Sequence, residues 1–123
     1  MKRQTGVPLL TAIAALFGIS ACASSGQIPA AEARLHLGEH RTVCGTVAST
    51  RFDPSAGGGT FLHFERPEPD QPFTAVISPE LRSKFLADPV LVYRDAGVCV
   101  TGTIQPGGAP RIYVRDLNQI YEE

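Results

Sequence analysis

The sequence predicts an all-β domain with one or two short helices, and three observations predict it. From residue 41 onward, five stretches rich in Val, Thr, Ile and Phe alternate or run apolar over strand-like lengths. Clusters of Gly, Pro, Asp and Ser break the chain between them. Helix signals occur at only two places, around Pro29 and Pro79, each with a short apolar stripe. A length of 123 residues suits one small domain and excludes a multidomain machine. Hydrophobic residues at 43% and charged residues at 19% are ordinary for a globular chain and far from the composition of disordered segments.

In chain order, the first segment is a leader. Lys2 and Arg3 precede an uncharged apolar run from Val7 to Ile19, a signal-peptide pattern. That run falls short of the roughly 18 to 20 residues a membrane-spanning helix needs. The leader closes on Ile19-Ser20-Ala21-Cys22, which resembles a bacterial lipobox. The resemblance implies cleavage before Cys22, a thioether diacylglycerol on its sulfur and an acylated, palmitate-type amino terminus. Two or more chains of this kind hold a protein on a membrane at about 0.8 kcal/mol per buried methylene. In that class an aspartate after the cysteine signals inner-membrane retention, so with Ala23 there the resemblance implies the periplasmic face of the outer membrane within the cell envelope. Ordinary cleavage after Ala21 would instead leave Cys22 as a free thiol, a liability in an exported protein. The expected organisation is a signal peptide over 1–21, a tether over 22–28 and a folded domain over 29–123. Without residues 1–21 the chain carries 9 basic and 12 acidic side chains, a formal charge of -3. Generic attraction to polyanions is therefore not built into its composition.

The small, polar stretch Ala23 to Gln27 reads as a tether. Pro29 suits a first helical position, and Ile28, Ala31 and Leu35 repeat with helical spacing before Gly38, predicting a two-turn helix from Pro29 to Leu37. Arg41 to Phe52 alternates as a long strand, bent at Gly45. Asp53 to Gly59 interrupts it. Thr60 to Arg66 and Phe73 to Ser78 are two more strands, separated by the proline-punctuated segment from Pro67 to Pro72. Ser78-Pro79-Glu80 opens a second helix, with Leu81, Phe85 and Leu86 as its buried stripe up to Asp88-Pro89. Gly97 to Gln105 and Arg111 to Leu117 are the last strands, joined by Pro106-Gly107-Gly108-Ala109.

Three strands, a helix and two strands, beginning with a long glycine-bent strand, resemble an OB-fold, a five-stranded Greek-key barrel. Thr42-Val43-Cys44-Gly45-Thr46-Val47 and Val98-Cys99-Val100-Thr101-Gly102-Thr103-Ile104 are similar to the first and fourth strands of small bacterial exported OB-fold proteins of the nucleic-acid-binding type. The similarity spans residues 33–120. The alternative is another small β-barrel or a five-stranded sandwich. With Cys22 lipidated, Cys44 and Cys99 remain, an even number in an oxidising compartment. The first and fourth strands of an OB barrel are neighbours, so the resemblance agrees with a Cys44–Cys99 disulfide. A redox thiol or a metal site would need a Cys-x-x-Cys pair or zinc-ligand intervals, and neither cysteine has them.

No catalytic constellation stands out, and no cofactor or metal is expected. His36 and His40 are four apart, but Gly38 between them ends the helix that would place them on one face. Gly57-Gly58-Gly59 lacks the lysine, hydroxyl residue and helix of a phosphate cradle. Asp53, Glu65, Glu68 and Asp70 scatter over loops and strand ends without acid–base pairing. What the resemblance implies is a binding surface on the second and third strands and the loops beside them. Its expected residues are Phe61, His63, Arg66, Arg111, Tyr113 and Arg115, with Arg51 at the entrance. Aromatics beside arginines stack on bases or sugar rings and pair with phosphates. The expected function is a non-catalytic binding module anchored at Cys22, with single-stranded nucleic acid or an oligosaccharide as ligand. The alternative is a structural lipoprotein that contacts an envelope protein or cell-wall polymer.

Overall fold

The computed structural model describes residues 26–123. The leader, the lipobox with Cys22 and the first part of the expected tether lie outside the described residues. Among the described residues, no helix is long and apolar enough to cross a membrane.

Strands β1 (Gln27–Pro29), β2 (His40–Asp53), β3 (Gly59–Phe64), β4 (Phe73–Ile77), β5 (Gly97–Thr103), β6 (Arg111–Val114) and β7 (Ile120–Glu122) build one sheet. It is ordered β6-β4-β3-β2-β5-β7, with β1 also on β2. The sheet is mixed, because β4–β6 and β1–β2 are parallel while the other pairs are antiparallel. Each of the five expected strands is present within three residues of its expected bounds.

The architecture is nevertheless an open sheet of seven strands and not a closed five-stranded barrel. Two features account for this. Short terminal segments add β1 and β7, and the backbone link between the end of β5 and β6 is a bridge, Gln105 with Arg111, whose two hydrogen bonds are 2.7 and 2.9 Å. Pro106 and Pro110 flank that hairpin and have no N–H to extend the ladder.

Long strand β2 is shared: residues 40–46 pair with β5 and residues 47–53 with β3. Its register shifts between Val47 and Ser49, just beyond the expected bend at Gly45. Gly45 itself makes room, since a side chain there would run into the Glu65 carboxylate and the Phe64 ring. Glu65, at φ 72°, turns back so that its carboxylate accepts from the Thr46 N–H at 3.1 Å. Cys44 lies directly opposite Cys99 in the β2–β5 ladder, with a Cα–Cα distance of 4.1 Å, and the two are disulfide-bonded. The inward faces bury Val43, Val47, Leu62, Phe64, Phe73, Ile77, Val98, Val100, Ile112 and Val114 completely. Phe64 meets Phe73 edge to face at 5.1 Å. Each such side chain contributes at most about 1.5 to 3 kcal/mol by leaving water.

Both helical expectations need correction. Residues Ala30–Leu35 form a 3-10 helix, η1, in place of an α-helix from Pro29 to Leu37. Its buried residues are Ala30 and Ala33, the three-residue spacing of a 3-10 turn, and Leu35 is 60% exposed. After the Ser78 hydroxyl caps the Leu81 N–H at 3.1 Å, α1 covers only Pro79–Arg82. A separate turn, α2 (Pro89–Val92), starts at the Asp88 cap. Pro89 disfavours helical backbone at Asp88 and so divides the segment. Leu81 is buried as expected, whereas Leu86 is fully exposed at 106%.

Candidate ligand-binding face

Strand register assembles the site. Arg51 of β2 is opposite Phe61 of β3, Phe61 opposite Val76 of β4, and Val76 opposite Tyr113 of β6. One row therefore crosses four strands. Two residues along, a second row joins Ser49, His63, Thr74 and Arg111. Because side chains alternate along a strand, both rows share the face opposite buried Leu62, Ala75 and Ile112.

An open cleft of about 390 Å³ lies over this face. Phe61, Val76 and Tyr113 line it from the sheet, Pro79 and Glu80 from the start of α1, and Arg111 and Arg115 from β6 and its end. The Arg115 guanidinium lies 5.3 Å from the Tyr113 ring centre. Among the described residues the Arg111 side chain donates to the Ala109 carbonyl, at 3.4 Å. Among the described residues neither Arg111 nor Arg115 has a carboxylate partner.

Arg51 is held differently. Its guanidinium sits 4.7 Å from the Phe61 ring centre and donates to Asp53 at 2.9 Å and to Glu68 at 3.1 and 3.3 Å. Burial works against its charge, but Glu68 and then Asp53 outweigh that and raise its pKa. Hydrogen bonds from Ser55 and then Arg51 hold the Asp53 carboxyl below its usual range.

The expected residues thus divide. Phe61, Arg111, Tyr113 and Arg115 line one cleft, and Arg51 borders it over Phe61. His63 belongs to the same face by register but is only 2% exposed, a correction to its expected outward exposure. Its Nδ1 shares a hydrogen bond with the Ser49 hydroxyl at 3.0 Å, and its Nε2 lies 3.6 Å from the Glu68 carboxylate. Burial lowers its pKa. Arg66 is not brought to the cleft, because it is bound inside the β3–β4 loop, its Nε donating to the Asp70 carbonyl at 3.0 Å. His36 engages Glu39 and Arg41, each at 3.0 Å, and is not paired with His40. Among the described residues, the grouping of metal-capable side chains is Cys44, Cys99 and Glu123, whose sulfurs are joined to each other.

Sequence reading missed Val76, Pro79 and Glu80. Val76 sits in Phe73-Thr74-Ala75-Val76-Ile77, whose five residues are all buried, so alternation could not say which one faces the cleft. Pro79 and Glu80 carried a helix-start signal that proved correct, but only the fold sets that start against the sheet.

No protein-family model matches the sequence, and comparison with curated proteins finds no match. Among solved structures, the chain is similar to one from Leishmania major Friedlin named as an aspartyl-tRNA synthetase, with 14% identity and a TM-score of 0.51. The match covers 94% of this chain and 22% of that one, so the likeness concerns a part of a much longer protein. At this identity it is a likeness of fold.

Proposed function

We propose that this chain is an envelope-anchored lipoprotein whose domain is an OB-fold binding module, without catalytic activity, for single-stranded nucleic acid. The row Arg51–Phe61–Val76–Tyr113, flanked by Arg111 and Arg115 without carboxylate partners, carries this reading. Flat aromatic rings on a sheet accept bases of any sequence, each stack contributing about 1 to 3 kcal/mol. The two arginines favour an anionic linkage over the neutral one of a plain oligosaccharide. Support for the OB-fold comes from the antiparallel β2–β5 pair, the parallel β4–β6 pair and the bridge that brings β5 and β6 together. The solved structure it resembles is named for an enzyme acting on tRNA, which is in keeping with this ligand class.

Anisotropy titration of a short oligothymidylate tests the reading. Two phosphate contacts on a single strand predict a slope of about -1.4 in log K against log salt. Equal or stronger binding of a neutral oligosaccharide, with no salt slope, would move the ligand class. Leu86 and Leu91, 106% and 67% exposed on the α1–α2 segment, favour a second reading as a protein-interaction module. Absence of polymer binding together with capture of an envelope protein would select it. The anchor is tested by intact mass of the membrane fraction, where Cys22 should carry acyl mass and Cys22→Ser should release the protein from the membrane.

A further inference from the structure

Beside the first cleft lies a second hollow, of about 300 Å³, that shares Tyr113 and Arg115 with it. Its other walls are polar. His40 and Thr103 are directly opposite one another in the β2–β5 ladder, and Gln105 follows on the turn toward β6. Their side chains make no hydrogen bond among the described residues. Gln119 closes the hollow as a fixed wall, its amide donating to the carbonyls of Thr101 and Tyr113 at 2.9 and 3.0 Å. One hollow therefore offers apolar rings and the next offers unoccupied hydroxyl, amide and imidazole groups, with a cation where they meet.

We propose that the second hollow is a sugar–phosphate subsite, a deepening that rests on the reading of the first cleft as a base-stacking site. A strand whose base lies on Phe61 and Tyr113 passes its phosphate to Arg115 and sets the next sugar against His40, Thr103 and Gln105. The division of labour follows from chemistry. Stacking needs the flat apolar rings, which the second hollow lacks apart from the shared Tyr113. Hydroxyl and phosphate oxygens need donors and acceptors, which the first cleft offers mainly at its arginine rim.

The test compares thymidine monophosphate with a thymidylate trimer, by NMR titration, on the intact chain and on Thr103→Glu. Thr103 is exposed at the end of β5, so a carboxylate there repels phosphate without disturbing the core. The unmodified protein should bind the trimer at least tenfold more tightly than the monophosphate. Thr103→Glu, which faces Arg115 across the same hollow, should weaken both ligands but the trimer far more, so that most of the trimer's gain over the monophosphate is lost. Ala31→Glu adds the same charge at an exposed position of η1 and should change neither value. Retention of the full gain by Thr103→Glu, or its equal loss in Ala31→Glu, overturns the second subsite and leaves the first cleft standing. Failure of the unmodified protein to bind either ligand overturns both.

Discussion

Glu68 holds two groups with one carboxylate. It fixes the Arg51 guanidinium over Phe61, and its Oε1 also faces the buried ring of His63. Together with Asp53 it pairs the Arg51 charge, and Arg51 covers the ring on which a base would stack. Glu68→Gln is expected to tighten oligothymidylate binding at low salt, with the gain shrinking as salt rises, in the same anisotropy assay. His63 makes a separate prediction. Its pKa lies below the ordinary 6.5, first because burial penalises the imidazolium. The unfolded chain therefore takes up a proton at higher pH than the folded one, and stability falls as pH drops through 6.5 toward the folded value. Asp53 and Glu39, both lowered from reference values of 3.8 and 4.5, lose their contribution only at more acidic pH. The thermal midpoint should thus fall between about pH 7.5 and about pH 5.5, and His63→Gln should flatten that part of the curve. Counting by two aligned Arg111, Tyr113 and Arg115, and the resemblance added Phe61 to the same surface. Neither could bring the Glu68 carboxylate to within 3.6 Å of the His63 ring, because the loop that carries it has no alternation to read.

Strands were more legible than helices for a physical reason. A strand announces its period over five or six residues, whereas the four-residue turns α1 and α2 are too short to show a stripe and are set by their Ser78 and Asp88 caps. β1 and β7, three residues each, have almost no pattern of their own and exist because β2 and β5 offer them an edge. The pairing of Cys44 with Cys99 followed from strand adjacency implied by resemblance, and the ladder places them face to face. With the cysteines 55 positions apart in sequence, the chain-entropy view gives the bond about 4 kcal/mol. The double variant Cys44→Ala, Cys99→Ala should unfold at clearly lower urea, losing about 2 to 5 kcal/mol. On β6, Arg111→Ala with Arg115→Ala should leave the thermal midpoint nearly unchanged, since Arg115 is exposed and Arg111 half-buried. It should weaken oligothymidylate binding at least tenfold, about 1.4 kcal/mol.

At the scale of the whole molecule, a small domain depends on close packing where its sheet curves. Gly102 of β5 shows it, because a methyl group there would come within 2.6 Å of the Ile112 side chain on β6. Gly102→Ala is expected to cost about 1 to 3 kcal/mol in urea unfolding, as overpacking does. The net charge of -3 outside the leader, which argued against a polyanion ligand, is an average over a surface that sorts its charges. Arg41, Arg51 and Arg82 are matched to carboxylates, while Arg111 and Arg115 stand without such partners at the cleft. Composition sums over that arrangement, so the sign of the site was hidden until the fold separated the two groups.

Gln119 has a bearing on time as well as on shape. Its side-chain oxygen accepts from the backbone N–H groups of Arg115 and Asp116 at 2.8 and 3.1 Å, while its nitrogen holds the carbonyls of Thr101 and Tyr113. The backbone beneath the exposed cation is thereby fastened before any ligand arrives. Encounter then involves no slow rearrangement: in stopped-flow mixing the observed rate should rise linearly with oligothymidylate concentration in a single exponential. Gln119→Ala, by loosening that fastening, should introduce a plateau or a second, slower phase.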